Sequence, residues 1–127
     1  MRDQQRSKIY AAERAAAMCY DPAPLMSWSE VERFVSKVCR AEKYIPPKIG
    51  HGQGARRAFC KGHRIVLPRW ARQKWVILHE LSHWMTRQAK IAHGEQFLRV
   101  YLHLINRYIG QVEAQIMVMA LNQYRVK

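Results

Sequence analysis

Apolar residues recur at helical spacing over five stretches of this chain and give way to short strand-like runs in one region. Ile9, Ala12, Ala16 and Cys19 share one face of a 3.6-residue repeat, so a helix is expected from Asp3 to about Tyr20, ended by Asp21-Pro22-Ala23-Pro24. Ser27 with Glu30 three residues on forms a capping box, opening a second helix that runs to about Lys43. Trp28, Val31, Phe34, Val35 and Val38 form its apolar stripe. Ile45-Pro46-Pro47 breaks the chain, and residues 50–54, GHGQG, read as a loop. The runs ARRAFC and HRIVL read as two strands joined at Lys61-Gly62 in a hairpin. Pro68 ends the second and, lacking an N–H, suits an edge strand. A third helix is expected from Arg69 to about Gln88. A fourth runs from Gly94 to Tyr108, with Phe97, Leu98, Tyr101, Leu104, Ile105 and Tyr108 on one face. A fifth spans Gln111 to about Tyr124 and is apolar on most sides, which predicts burial. The expected fold is therefore α+β and mainly helical, with about five helices and a small antiparallel β hairpin before the third. At 127 residues one domain is expected.

Charge changes this picture in one interval. The chain has a formal net charge of +13, and no acidic residue occurs between Glu42 and Glu80. That interval holds Lys43, Lys48, Arg56, Arg57, Lys61, Arg64, Arg69, Arg72 and Lys74. Such a field attracts polyanions, and Arg56, Arg57, Lys61, Arg64, Arg69 and Arg72 are the candidate contacts to nucleic acid or an acidic protein. Cys19, Cys39 and Cys60 are far apart and lack CxxC spacing, so reduced thiols are expected, those of Cys19 and Cys39 buried on helices. No run of 18 apolar residues occurs, so no membrane partner is expected. The polar opening lacks the apolar core of a secretory signal, so a cytoplasmic location is expected. Nothing in the pattern specifies an oligomeric state.

The candidate chemistry lies in the third helix. His79 and His83 are four residues apart, which on a helix leaves them about 40° from each other, one turn up the same face. Two imidazoles so placed can share one ion. Glu80 lies about 100° round the helix, badly placed to share the ion but able to reach a water held there. That is the mechanical sense of HExxH, two ligands and one base, and zinc is the expected ion. The flanking Val76, Ile77, Leu78, Leu81, Ser82, Trp84 and Met85 are all uncharged, as a helix buried around its ligands requires.

A catalytic zinc usually takes three protein ligands and keeps one position open. Ala89 and Thr86 stand where the metzincin spacing needs histidine and glycine, so that class is excluded. His93, just before Gly94, is the leading third ligand, with Phe97 one turn later able to pack beneath it. Glu113 is the alternative. It stands near the start of an apolar helix, where a carboxylate needs a partner, and it serves either as ligand or as a group orienting a ligand imidazole.

HELSH followed by His93-Gly94-Glu95-Gln96-Phe97 resembles the SprT-like metalloproteases, in which the histidine of HGxxF is the third zinc ligand. With IVLPRWAR and RDQQRSKIYAAE, most of the chain is similar to a small uncharacterised family of metallohydrolases from actinobacteria and their phages; a phage protein would act in the host cytoplasm. Residues 110–117, GQVEAQIM, have some likeness to the second motif of glutamate-ligated zincins. The resemblance implies a minimal zincin-like domain. It also implies peptide-bond hydrolysis, with His79, His83 and His93 on zinc, Glu80 as general base and a protein or peptide substrate. By fold analogy, Arg64 to Leu67 is the edge strand along which an extended substrate adds. Two readings stand beside it. One is a hydrolase of another amide or ester. The other is a basic nucleic-acid- or host-factor-binding protein with a structural zinc.

Overall fold

The computed structural model describes residues 5–20, 22–52 and 54–127. It is α+β and mainly helical: among the described residues it has five α-helices, one 3-10 turn and a three-stranded mixed sheet. Its contacts fall into two compact units, residues 23–85 and the remainder of the chain on either side of them.

The first unit, residues 23–85, holds the helix of the capping box, the sheet and the helix that carries His79 and His83. The helix of the capping box, α2 (Trp28–Glu42), starts where the pattern places it. The Ser27 hydroxyl accepts from the Glu30 N–H, and Glu30 accepts from the Ser27 N–H. Those bonds to Ser27 hold the Glu30 carboxyl below its usual range. Val31, Val35, Val38 and Cys39 are buried along the helix, and burial pushes the Cys39 thiol up to about 11. Strands β2 (Phe59–Lys61) and β3 (Arg64–Leu67) pair antiparallel. Gly62 takes φ of 61° between them, the positive value that a tight hairpin turn asks of its first central residue.

The expected loop at GHGQG is in part a strand, β1 (Lys48–His51), which pairs parallel to β3. The sheet order is β1-β3-β2, so Arg64–Leu67 is the central strand and not the edge. The substrate-adding edge expected there is thus already occupied on both sides. Ile65 and Leu67 are fully buried, as a central strand requires, while β1 has a single Ile between Lys48 and Gly50 and shows too little alternation to be read. Gly52 continues past β1, donating its N–H to the Leu67 carbonyl at 2.8 Å. A Cβ there would meet Val66 Cγ1 at 2.9 Å and the Pro68 nitrogen at 3.0 Å, so the close approach needs glycine. Gln53 lies outside the described residues.

The expected third helix divides. Arg69–Ala71 is a 3-10 turn, and α3 is Lys74–Met85. Between them Arg72 leaves helical geometry at ψ of 58°. Its carbonyl accepts from the Met26 N–H and its guanidinium donates to the Met26 carbonyl at 2.8 Å, so these groups serve a neighbouring segment rather than a continuous helix. Helix α3 packs against β2 and β3.

The second unit comprises α1 (Arg6–Ala17), α4 (Glu95–Tyr108) and α5 (Gln111–Gln123), with α5 packed on both α1 and α4. The expected start of α1 at Asp3, and Asp21 in the break after it, lie outside the described residues. Ile9, Ala12 and Ala16 are buried as the stripe predicts, together with Glu13. Tyr101 is fully buried on α4 and donates its hydroxyl to Glu13 Oε2 at 2.7 Å, which satisfies a carboxylate inside the core.

Two burial expectations fail here. Cys19 is exposed, because α1 ends at Ala17 and the thiol falls in the turn beyond. Helix α5 is not buried all round: Met117, Ala120 and Leu121 form a narrow inward stripe, while Val112 and Met119 are 62% and 70% exposed. Packing on α1 and α4 covers one face of the helix, whatever the composition of the other. No helix of the described residues is long and apolar enough to cross a membrane.

Candidate metal centre

Helix α3 carries the first two histidines and is buried on nearly every side. Val76, Ile77, Leu78, Leu81, Ser82 and Trp84 are all buried with His79 and Glu80, so its low amphipathicity reflects an interior position. Ser82 turns its hydroxyl back to the Leu78 carbonyl at 2.6 Å, which removes a buried donor from competition. The Trp84 indole N–H donates to the Ile45 carbonyl at 2.8 Å, anchoring the helix to the Pro-rich break. The rings of His79 and His83 lie edge to face, 4.9 Å between centroids, as four-residue spacing predicts.

His93 is buried just ahead of α4, whose N-cap is Gly94. Its ring lies edge-on to Phe97 at 5.1 Å and to Tyr10 at 5.9 Å. The Gln5 side chain donates to the His93 carbonyl at 2.8 Å. Phe97 therefore backs the imidazole as expected. Tyr10 and Gln5 do so too, and no spacing in the sequence announces them.

His79, His83 and His93 each offer a ring nitrogen, and these atoms all lie within 4.8 Å of one another. Two nitrogens at zinc-bond length and tetrahedral angle are about 3.4 Å apart, a spacing of the same order. Three neutral imidazoles suit a divalent transition metal of the zinc type. The three histidines thus form a group that could hold a metal ion, and it is the group of this kind found among the described residues.

Glu80 is 5% exposed, with Oε2 4.0 Å from His79 Nε2. The carboxylate is thus buried beside one imidazole of the group. Glu113 is half-buried in the first turn of α5, and its carboxylate folds back over Gly110, where a Cβ would collide with it. Its backbone carbonyl accepts from the Tyr20 hydroxyl at 3.2 Å. Burial, and then the nearby Glu113 and Glu13 charges, push that phenol above its ordinary range.

The basic candidates do not converge as a set. Lys61 and Arg64 are exposed on the sheet; Arg56, Arg57 and Arg69 are exposed in the connections. Arg72 is half-buried, held at Met26 and lying 5.3 Å over the Trp28 ring, so packing occupies it. His51 stacks on the same Trp28 ring at 3.8 Å, and His103 is exposed.

No protein family, curated protein or solved structure matches the chain.

Proposed function

We propose that this chain is a zinc-dependent metallohydrolase, and most simply a peptidase. One observation carries the reading: three imidazoles gathered within 4.8 Å, with a buried carboxylate from the residue next to the first of them. The resemblance of HELSH and HGEQF to the SprT-like metalloproteases supports it. His79, His83 and His93 would hold zinc. When bound, zinc supplies Lewis acidity, polarising a carbonyl oxygen and lowering the pKa of water to about 7. Glu80 takes the proton from the attacking water and returns it to the leaving amine. Its burial keeps that proton from bulk solvent between the two transfers. Phe97 and Tyr10 back the His93 ring, which would orient that ligand before substrate arrives.

The test is incubation of zinc-loaded protein with an unfolded protein. Cleavage is expected, abolished by chelation and restored by zinc. An intact substrate beside fully loaded protein would remove the peptidase reading and leave hydrolysis of another amide or ester.

A further inference from the structure

The two faces of the sheet differ sharply. Ile65 and Leu67 are fully buried on one side, while the other leaves Lys48, Phe59, Lys61 and Arg64 exposed. The register places Lys48 opposite Arg64 and Arg64 opposite Lys61, so three cations stand in one row across all three strands. Directly paired side chains are about 4.5–5.5 Å apart at Cβ, and like charges so paired repel. No acidic residue in the interval from Glu42 to Glu80 offsets them, and none of the three forms an ion pair among the described residues.

The next row is apolar. Phe59 pairs with Val66, which pairs with Gly50. Two of these are small, so the Phe59 ring, 42% exposed, stands clear on the same face. Phe59, Val66 and His63 line a shallow concavity of about 570 Å³ together with Lys48, Lys61 and Arg64. Phe59 and Lys61 are two residues apart on β2, about 6.7 Å along the strand.

We propose that this face binds single-stranded nucleic acid, with phosphates along the Lys48–Arg64–Lys61 row and a base stacked on Phe59. Charge identifies a polyanion, and the adjoining aromatic ring narrows the choice. A duplex keeps its base faces covered, and an acidic peptide, unlike a nucleic-acid strand, does not carry a flat ring beside every charge. Stacking on an exposed aromatic beside a cationic track is the way proteins hold single strands without reading their sequence. The surface is built from residues 48–50 and 59–66 and makes no use of His79, His83 or His93, so it neither requires nor supports the hydrolase proposal.

The test is fluorescence anisotropy with a labelled single-stranded oligonucleotide, the matching duplex and phosphatidylserine vesicles, over a salt series. The single strand is expected to bind most tightly. Phe59→Ala should weaken it about five- to a hundred-fold, the range for one stacked base. Arg64→Ala should lower the salt slope by about 0.7, as loss of one phosphate contact to a single strand requires. Arg33→Ala removes the same charge from the exposed face of α2 and should change affinity less than Arg64→Ala does. Circular dichroism of each variant shows whether the fold is intact. Equal binding of duplex and single strand, unaltered affinity in a folded Phe59→Ala, or equal losses in Arg33→Ala and Arg64→Ala would overturn the proposal. Binding to the vesicles alone would overturn it in favour of a membrane surface.

Discussion

Glu80→Gln is expected to retain one zinc per chain and to lose hydrolysis by roughly 10²–10⁴-fold, the usual contribution of a general acid–base group. The reasoning separates two roles that HExxH combines. The imidazoles at 79, 83 and 93 form the donor group, and Glu80 is not among its members. The amide of glutamine fills the same volume in a tightly packed setting, so the fold should survive, but it cannot accept the proton. Zinc content measured beside cleavage rate on one preparation checks both halves. If the metal is lost with Glu80→Gln, the carboxylate is part of the ion's binding set. If activity is unchanged, Glu80 is not the base.

Phe97→Ala is expected to have the largest effect on stability, about 3–5 kcal/mol for an aromatic removed from a core. Phe97 is fully buried, stacked on Tyr101 at 5.4 Å between ring centroids and edge-on to His93. For a chain of this size that loss lowers Tm by on the order of 10–20 °C. The same truncation frees the His93 ring, so zinc affinity should fall on the order of tenfold, the low end for groups that orient a ligand. Phe97→Leu keeps most of the volume and should recover most of the stability. Thermal unfolding and a zinc titration of both variants check the paired effect. A Tm shift in Phe97→Ala of less than about 3 °C would mean the ring is not packed where the structure has it.

The helices were readable because each carries a signal that outlasts its ends: the Ser27–Glu30 box, the Phe97–Ile105 stripe, the dense apolar run around His79. The boundary that failed, at Arg72, was invisible because bonds to Met26, distant in sequence, decide it. Strand β1 escaped notice for a related reason. A four-residue strand with one large apolar side chain has almost no period to detect, and its pairing with β3 is a tertiary fact. The pairing puts Arg64–Leu67 in the middle of the sheet and not at its edge, and it brings Lys48 into the cationic row. The apolar composition of α5 misled in the opposite direction, because hydrophobicity says what can be buried and not how many neighbours arrive to bury it.

At the candidate metal centre, local spacing gives His79, Glu80 and His83 their mutual geometry. His93 was reached through the turn at Gly94 and the Phe97 that follows it, while Gln5 and Tyr10 come from far along the chain and left no mark in the motif. Glu13 did leave one: an acid on the Ile9–Ala12–Ala16 stripe signals a buried carboxylate, and Tyr101 supplies the donor it needs.

Zinc content by elemental analysis, on wild type beside His79→Ala, His93→Ala and Glu113→Ala, tests the central claim most directly. About one zinc per wild-type chain is expected, falling close to zero in both histidine variants and staying near one in Glu113→Ala, as a three-histidine site requires. A wild-type protein that takes up no zinc from an equimolar supply would contradict the account. So would full occupancy in His93→Ala with loss in Glu113→Ala.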